Sequence, residues 1–503
     1  MLLARLRHVP LLVVLLGATG LAMLIPSAHA FLGGQAAVGR AFLHSGLILA
    51  LLAGFLALAT SRPAQGTGSK TAARGLFPLL GAIYLVLPAA MAVPLAEVLS
   101  LPFLDAWFEM VASFTTTGAT LLDTPRALPE AVHLWRGMAG WFGGFLVLVS
   151  ATALLAPLGL GGFELIRPLA QAAPRQGDLG LSAGQRMRAH ALAVLPVYLG
   201  LSALLWLVLV LLGVPGFAAL MQAMAALSTS GILAQESLGP VGFGAELAIF
   251  MALVLGLSRS FMPGPGATPR GRFNPGPELR LGMLIVALVV LIVVLRHWLG
   301  AFDAAEGENL PALGRAAWGA AFTGLSFLTT TGFVSDGWIA SRAWSGLTPP
   351  GLVLMGLAVI GGGVATTAGG VKLLRVYALA RLSKLEMERM IYPSMVPGGG
   401  EKLRFLTTSG GRAAWLFVMV FAIAVAILVA ALMLTGMSFE TGLVFTIAAL
   451  TTTGPLVQVA GDLSLHWALL SLPAKMVLAL GMILGRLEIL VLLALLMAQF
   501  GRD

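Results

Sequence analysis

Four short stretches that end in glycine carry the hydroxyl and carbonyl groups able to bind a cation. They are Thr115–Gly118, Ser228–Gly231, Thr329–Gly332 and Thr451–Gly454. Each follows an apolar run that is shorter than the roughly 20 residues a helix needs to cross a bilayer. A helix that ends inside a membrane leaves backbone carbonyls that lipid cannot satisfy, so the turn after it must line water or an ion path.

These stretches, here named the Thr-Gly turns, are predicted to act together as a cation filter. Their glycines are separated by 113, 101 and 122 residues, and cation filters use rings of carbonyl oxygens that replace the hydration shell. Glycine suits such a ring because its backbone adopts positive φ and approaches an ion closely. One copy alone would indicate an ordinary helix end, whereas four copies favour a filter. The predicted ion-binding residues are Thr116, Thr117, Gly118, Thr229, Ser230, Gly231, Thr330, Thr331, Gly332, Thr452, Thr453 and Gly454.

A glycine-rich stretch from Gly361 to Gly370 is a candidate gate. Three of its glycines are consecutive, and each weakens a helix by about 1 kcal/mol relative to alanine. This pattern favours a broken helix below the filter, although close helix packing would explain some of the glycines. The predicted gate residues are Gly361, Gly362, Gly363, Thr366, Thr367, Gly369 and Gly370, together with Arg486.

Two positive charges, Lys475 and Arg486, lie within the last apolar segment. Their spacing puts both on one face of a helix, and charges within a membrane usually face a bundle interior or a water path. We predict that Arg486 lies beside the cation path, with a buried ion pair as its alternative. Lys475 is expected either to face the pore or to pair with Glu109 or Glu440.

Composition places the chain in a membrane. Of its 503 residues, 58% are hydrophobic and 10% are charged, against about 25% charged in soluble proteins. The absence of cysteine excludes disulfides, thiolate metal sites and cysteine nucleophiles. The formal charge of +9 is explained by loops that follow the positive-inside rule, so no nucleic-acid partner is expected and lipid is the surrounding partner. No nucleophile and base are paired at one depth, so the chain is not predicted to be an enzyme.

The apolar segments predict an all-α integral membrane protein with ten spans. Two leading transmembrane helices are followed by four pseudo-symmetric repeats around a central pore, each a span, a pore helix, a filter loop and a returning span. The Ala28-His29-Ala30 sequence mimics a signal-peptide cleavage site, but the second span that follows at once favours a retained helix. The predicted divisions are 1–75 for the leading pair, 76–175, 176–275 and 276–405 for the first three repeats, the third with an intramembrane gating loop, and 406–503 for the fourth.

The element bounds follow from the hydrophobic runs. The predicted spans are Val9–Ile25, Ala41–Ala59, Leu76–Val98, Trp141–Leu160, Ala189–Leu212, Ala245–Leu257, Leu279–Trp298, Gly351–Leu379, Ala413–Leu434 and Leu469–Gln499. The predicted short helices are Phe103–Phe114, Phe217–Leu227, Leu313–Leu328 and Phe439–Leu450.

The distribution of Lys and Arg predicts the orientation. Loops on the side of the termini carry 22 of these residues, against 6 on the filter side, among them Arg136. Both termini are therefore predicted to be cytoplasmic, and the filter loops to open outward. Each short helix then points its negative C-terminal end into the membrane, which favours cations.

Several motifs together resemble those of a known family. They are Leu104–Glu109 running into Phe114–Thr120, Gly361–Gly363 through Gly369–Lys372, Lys475 with Gly485–Glu488, and Gly39–Phe42 in the leading pair. Over nearly the whole chain, the sequence resembles the TrkH-type membrane subunit of the Trk/Ktr/HKT potassium-uptake superfamily.

The resemblance implies a potassium-conducting subunit in the bacterial cytoplasmic (inner) membrane. It implies a homodimer with one pore per protomer, potassium as the substrate at the filter residues, and gating by a TrkA-like cytoplasmic regulatory ring. No cofactor is implied in this chain, and a nucleotide (ATP/ADP or NAD) is expected on the partner only.

Two filter sequences depart from the family pattern. The fourth reads Thr453-Gly454-Pro455, where the family usually has an asparagine before glycine, and Ile232 and Leu233 follow the second. A sodium-selective or sodium/proton-coupled cation transporter on the same scaffold is therefore the alternative. Glycine at position 118 favours potassium, since serine there accompanies sodium preference in the plant relatives.

Overall fold

The computed structural model describes most of the chain, and in this part all regular secondary structure is helical, as predicted. The described residues are 9–60, 69–122, 127–156, 165, 183–235, 238, 242–258, 276–300, 309–338, 341, 351–392, 410–460 and 465–487.

Seven of the described helices are long and apolar enough to cross a membrane. They are Leu11–Leu32, Ala36–Thr60, Pro78–Leu99, Glu130–Leu155, Gly184–Leu211, Pro277–Arg296 and Gly411–Leu434. The predicted span Ala245–Leu257 is part of the shorter helix Gly242–Leu257. The predicted span Gly351–Leu379 is broken. The predicted span Leu469–Gln499 lies partly outside the described residues, which end at residue 487.

The leading pair forms a helical hairpin. Helices α1 (Leu11–Ala22) and α2 (Leu24–Leu32) are nearly continuous and cross α3 (Ala36–Thr60). They approach closely because Gly20 and Gly46 face each other: a Cβ on Gly20 would lie 2.9 Å from the Gly46 carbonyl oxygen. Small residues allow this kind of close crossing in membranes. The first span, Leu11–Leu32, has 22 residues and is longer than the predicted Val9–Ile25.

The segments assigned to the first two repeats each contain a long helix, a short helix and a third helix. The first contains α4 (Ser69–Leu99), α5 (Phe103–Phe114) and α6 (Glu130–Ser150), and the second α7 (Ala183–Leu211), α8 (Gly216–Ser228) and α9 (Gly242–Val254). A π-helical turn, Ala151–Leu155, continues α6.

Helix α6 begins at Glu130, well before the predicted Trp141, and contains the buried Arg136. The Arg136 Nε atom lies 2.6 Å from Glu109 Oε1, and both side chains are almost fully enclosed. Counting Arg136 as a loop charge on the filter side was therefore wrong.

The last two repeats complete the bundle. The third contains α10 (Pro277–Gly300), α11 (Asn309–Leu328), α12 (Gly351–Ile360) and α13 (Leu373–Ile391), and the fourth α14 (Gly411–Leu434), α15 (Phe439–Leu450), α16 (Leu456–Ala460) and α17 (Leu472–Leu487). Helix α11 has 20 residues, so the third short helix is longer than predicted. Residues 361–372, here named the glycine loop, interrupt the predicted span Gly351–Leu379.

Glycines seat two of the short helices on the spans that follow them. A Cβ on Gly143 of α6 would overlap the carbonyl oxygen of Phe114, the last residue of α5. A Cβ on Gly485 of α17 would likewise overlap the carbonyl of Leu450, the last residue of α15. The absence of a side chain at these positions therefore sets how closely the helix ends approach the spans.

We expect Gly143→Ala to destabilise the protein, because the added methyl group must push α5 away from α6, and overpacking costs about 1–3 kcal/mol. Melting of the detergent-solubilised protein measures this loss. Gly200→Ala in α7 is the matched control, since a Cβ there meets nothing within 4 Å. Equal melting temperatures for both variants would contradict the seating role of Gly143.

Candidate functional site

The four Thr-Gly turns share one backbone geometry. The second residue of each turn is left-handed, with φ of 56° at Thr116, 51° at Thr229, 58° at Thr330 and 55° at Thr452. The third residue donates its amide to the carbonyl five residues earlier in the short helix, as in helix C-caps. These bonds are Thr117 to Ala112 at 2.9 Å, Ser230 to Ala225 at 3.0 Å, Thr331 to Ser326 at 2.9 Å and Thr453 to Ala448 at 2.8 Å.

The sequence predicted positive φ only for the glycines of these turns. Gly118, Gly231 and Gly332 have it, whereas Gly454 does not. Threonine rarely adopts this conformation, and such strain persists only where surrounding contacts enforce it. In each turn, the hydrogen bond that the third residue's amide donates to the short helix supplies one such contact. It leaves the carbonyls of the turn to point elsewhere.

The hydroxyl of the first residue also helps to fix each turn, and this residue was not among the predicted site residues. Its hydroxyl donates to the carbonyl four residues earlier, at 2.7 Å from Thr115 and at 2.7 Å from Thr451. The same hydroxyl lies within hydrogen-bond reach of the third residue's hydroxyl, 2.8 Å for Thr115 and Thr117. Ser228 and Thr329 repeat both contacts. The available signal was the hydroxyl residue present at this position in all four copies.

The four turns close into a ring. A Cβ on Gly118 would overlap the Ser230 carbonyl, and one on Gly231 would overlap the Thr331 carbonyl. A Cβ on Gly332 would meet Pro455, and the Gly454 amide donates to the Thr117 carbonyl at 2.6 Å. Each turn therefore contacts the next, and the fourth contacts the first. The turn residues other than the glycines are almost completely buried.

The carbonyls of the second residues face no competing donor. Among the described residues, none donates a hydrogen bond to the carbonyl oxygen of Thr116, Thr229, Thr330 or Thr452. Buried carbonyls are normally satisfied. Four such oxygens in a closed ring are chemically suited to hold a desolvated monovalent cation.

The glycine loop packs against the inner side of this ring. The Gly369 amide donates to Thr330 Oγ1 at 2.7 Å, and Thr367 Oγ1 donates to the Leu227 carbonyl at 3.1 Å. A Cβ on Gly369 would lie 2.5 Å from Thr452 Oγ1. The loop thus contacts the C-terminal ends of the second, third and fourth short helices or their turns.

The first three glycines of the loop pack against other backbone segments and not against the ring. The Gly363 amide donates to the Gly256 carbonyl at 3.0 Å, and Gly362 also lies against Gly256. Gly361 has a φ of 74° and lies against Gly370. Both explanations of the glycine content therefore apply, a broken helix and close backbone packing.

A cavity of about 40 Å³ lies beneath the ring. One water molecule needs about 10–15 Å³ of such volume, so the cavity is large enough for water. Its lining brings together the candidate gate residues Thr366, Gly369, Gly370 and Arg486. Lys372 also lines it, a second positive charge that was not among the predicted site residues.

Arg486 enters this cavity without a carboxylate partner among the described residues. It is 8% exposed and interacts with the phenol groups of Tyr84 and Tyr198. Two of its nitrogens, Nε and Nη2, have no hydrogen-bond partner in the described part of the chain. A buried positive charge without an opposite charge is energetically costly, and such charges within a membrane mark candidate functional sites.

Lys475 lies apart from the gate residues, in an ion pair. Its Nζ atom is 2.8 Å from Asp105 Oδ1 in the first turn of α5. The expected partners Glu109 and Glu440 were wrong, since Glu109 pairs with Arg136 and also accepts the Leu121 amide at 2.8 Å. Of its two predicted environments, the structure has the ion pair.

Comparison with known proteins agrees with this architecture. A family model described as TrkH, cation transport protein, matches residues 40–256 and 279–499. The Trk system potassium uptake protein TrkH of Salmonella typhimurium is 29% identical over 99% of both chains. TrkI of Halomonas elongata, also named a Trk system potassium uptake protein, is 30% identical over 79% of this chain and 78% of its own length.

A solved structure has the same fold. The crystal structure of the potassium transporter TrkH from Vibrio parahaemolyticus superposes with a TM-score of 0.79 and 25% identity, covering 97% of this chain and 98% of that one. The match to the family model spans most of the sequence and includes all four Thr-Gly turns, the glycine loop and Arg486. The chain therefore belongs to the TrkH family of cation transport proteins.

Proposed function

We propose that this chain is the ion-conducting subunit of a potassium-uptake system in the bacterial cytoplasmic membrane. The observation that carries the proposal is the closed ring of four Thr-Gly turns, whose second-residue carbonyls accept no hydrogen bond from the described residues. The relatives named as potassium uptake proteins support potassium as the substrate. The predicted division into a leading pair and four repeats belongs to the same proposal.

The glycine loop and Arg486 form the gate in this proposal. A cation leaving the ring enters the cavity that both line. The guanidinium repels it, and low local dielectric makes that repulsion far stronger than in water. The loop joins directly to α13, which carries exposed charges such as Lys384 and Arg389 beyond the bundle. A cytoplasmic partner that moves α13 would therefore move the loop.

The partners follow from the family. We propose a homodimer with one pore per protomer, bound by a TrkA-like regulatory ring that carries the nucleotide. We also propose that both termini are cytoplasmic, which the excess of Lys and Arg in the loops on their side supports.

Growth rescue tests the proposed function. A bacterium lacking its potassium-uptake systems should grow on low potassium when it expresses this chain with a Trk regulatory subunit. Rescue that depends on sodium in the medium would instead favour the sodium-coupled alternative. Normal expression in the membrane without any rescue or cation flux would overturn the proposal.

Serine at the ring glycines should weaken potassium selectivity. In Gly118→Ser and Gly332→Ser, the new side chain meets the Ser230 carbonyl and Pro455 respectively. We expect the potassium-to-sodium flux ratio to fall about tenfold, equivalent to about 1.4 kcal/mol. Gly356→Ser is the control, since a Cβ there has open space. Unchanged ratios in both ring variants would argue against the filter assignment.

Removing the charge of Arg486 should open the gate. We expect Arg486→Ala, or a deletion of Thr366–Ala368, to raise potassium flux into proteoliposomes without any partner, because the barrier to the cation is lost. Arg486→Lys keeps the charge and should stay close to the parent. If the alanine and deletion variants fold and dimerise but conduct no better than the parent, the arginine and the loop are structural.

Single cysteines test the orientation in a chain that has none. Gln35, in the exposed turn between α2 and α3, and Tyr392, 63% exposed after α13, are suitable sites. An impermeant thiol reagent should label Gln35→Cys in intact cells and Tyr392→Cys only after lysis. Buried Ser341→Cys should label in neither case. Labelling of Tyr392→Cys in intact cells would reverse the topology.

A further inference from the structure

The outer end of the fourth Thr-Gly turn differs from the other three. Pro455 follows its glycine and leads directly into α16, so that the Thr453 carbonyl accepts the Leu456 amide at 3.1 Å and the Gly454 carbonyl accepts the Val457 amide at 3.3 Å. Proline is well suited to the first position of a helix because its φ is already fixed. The outer carbonyls of this turn are thus used by a helix start.

An indole holds this turn in place. Trp467 Nε1 donates to the Gly454 carbonyl at 3.3 Å. The ring of Trp467 is 2% exposed and lies between Phe108, with centroids 6.0 Å apart, and Phe445, with centroids 4.8 Å apart. The tryptophan therefore fixes Gly454 through one hydrogen bond and two aromatic contacts.

In the fourth repeat, the aromatic contact stands at the position where the other three repeats have a polar contact. Nine residues before the ring glycine, each of the first three repeats has a polar side chain that bonds to the chain beyond the turn. These contacts are Glu109 with the Leu121 amide at 2.8 Å, Gln222 with the Leu238 carbonyl at 3.3 Å and Thr323 with the Ser335 amide at 3.3 Å. The fourth repeat has Phe445 at this position, and it packs on Trp467 instead.

The result of this support is the position of Pro455. A Cβ on Gly332 would lie 2.8 Å from both Cβ and Cγ of Pro455, and one on Gly231 would lie 3.1 Å from its Cγ. On the other side, Gly454 is bonded to the Thr117 carbonyl at 2.6 Å. The pyrrolidine ring of Pro455 therefore stands at the outer mouth, where the pattern of the other turns would put the Thr453 carbonyl against Gly332.

We propose that Pro455 limits the size of the cations that pass the outer mouth, and that Trp467 is the positioning residue that holds it there. A pyrrolidine ring cannot replace a hydration shell, so it acts by occupying space. A fixed ring narrows the mouth more for the larger alkali cations, which makes caesium the discriminating probe. The inference rests on the proposed function, because it presupposes cation flux through the ring.

Flux of potassium and caesium into proteoliposomes of the full-length protein tests this inference. The parent should conduct caesium much less than potassium. Pro455→Ala should raise the caesium-to-potassium flux ratio several-fold, and Trp467→Phe should raise it in the same direction because the bond to Gly454 is lost. Trp135→Phe is the matched control: its buried indole donates to the Met91 carbonyl at 3.0 Å and packs on Phe42 of the leading pair. Its ratio should equal that of the parent.

The outcomes separate the two proposals. A parent that conducts no cation even together with a Trk regulatory subunit overturns the proposed function, whereas a parent that conducts caesium as well as potassium overturns only the size limit. Ratios unchanged in Pro455→Ala and Trp467→Phe, even with both fluxes reduced, would show that these residues are merely structural. If Pro455→Ala does not fold, the comparison of Trp467→Phe with Trp135→Phe and the parent's own caesium flux still decides.

Discussion

A helix that stops inside a membrane must dispose of the carbonyls of its last turn. Lipid offers no donor, so each of the four short helices ends in a turn that uses its own hydroxyls and amides to satisfy that helix end. Once the amides point back into the helix, the carbonyls of the turn can only point the other way. The ring follows from this constraint, since four such ends in one bundle can share a single polar space.

The need to satisfy polar groups away from water also explains the buried charges. Arg136 and Lys475 each have a carboxylate within 3 Å, Glu109 and Asp105 respectively. Removing one partner of such a pair is strongly destabilising, because the other charge remains buried. Arg486 has two phenols instead of a carboxylate among the described residues. Its charge therefore meets no opposite charge in that part of the chain, whereas the other two are neutralised.

The sequence predicted some elements to the residue and left others undetermined. Phe103–Phe114 and Phe439–Leu450 have the predicted bounds because Pro102 and the capping Ser438 mark their starts and the hydroxyl turns mark their ends. The partner of Lys475 could not be predicted in this way. Asp105 and Glu109 are four residues apart on one face of α5, so only the packing of α6 and α17 decides which carboxylate each cation meets.

The turns themselves show the same limit. Their residue types predicted four equivalent loops, and the inner ring has that symmetry. The different outer end of the fourth loop involves Trp467, which bonds to Gly454 and packs between Phe108 of α5 and Phe445 of α15. Periodicity along the chain carries no information about such a contact.

Because all four loops belong to one polypeptide, a substitution alters a single quadrant of the ring. In a filter assembled from four identical chains, any proline after the glycine would appear four times and close the mouth. Here one quadrant has a proline after its glycine and the other three do not. A single chain thus turns an all-or-none change into a graded one, because each quadrant of the ring can be altered by itself.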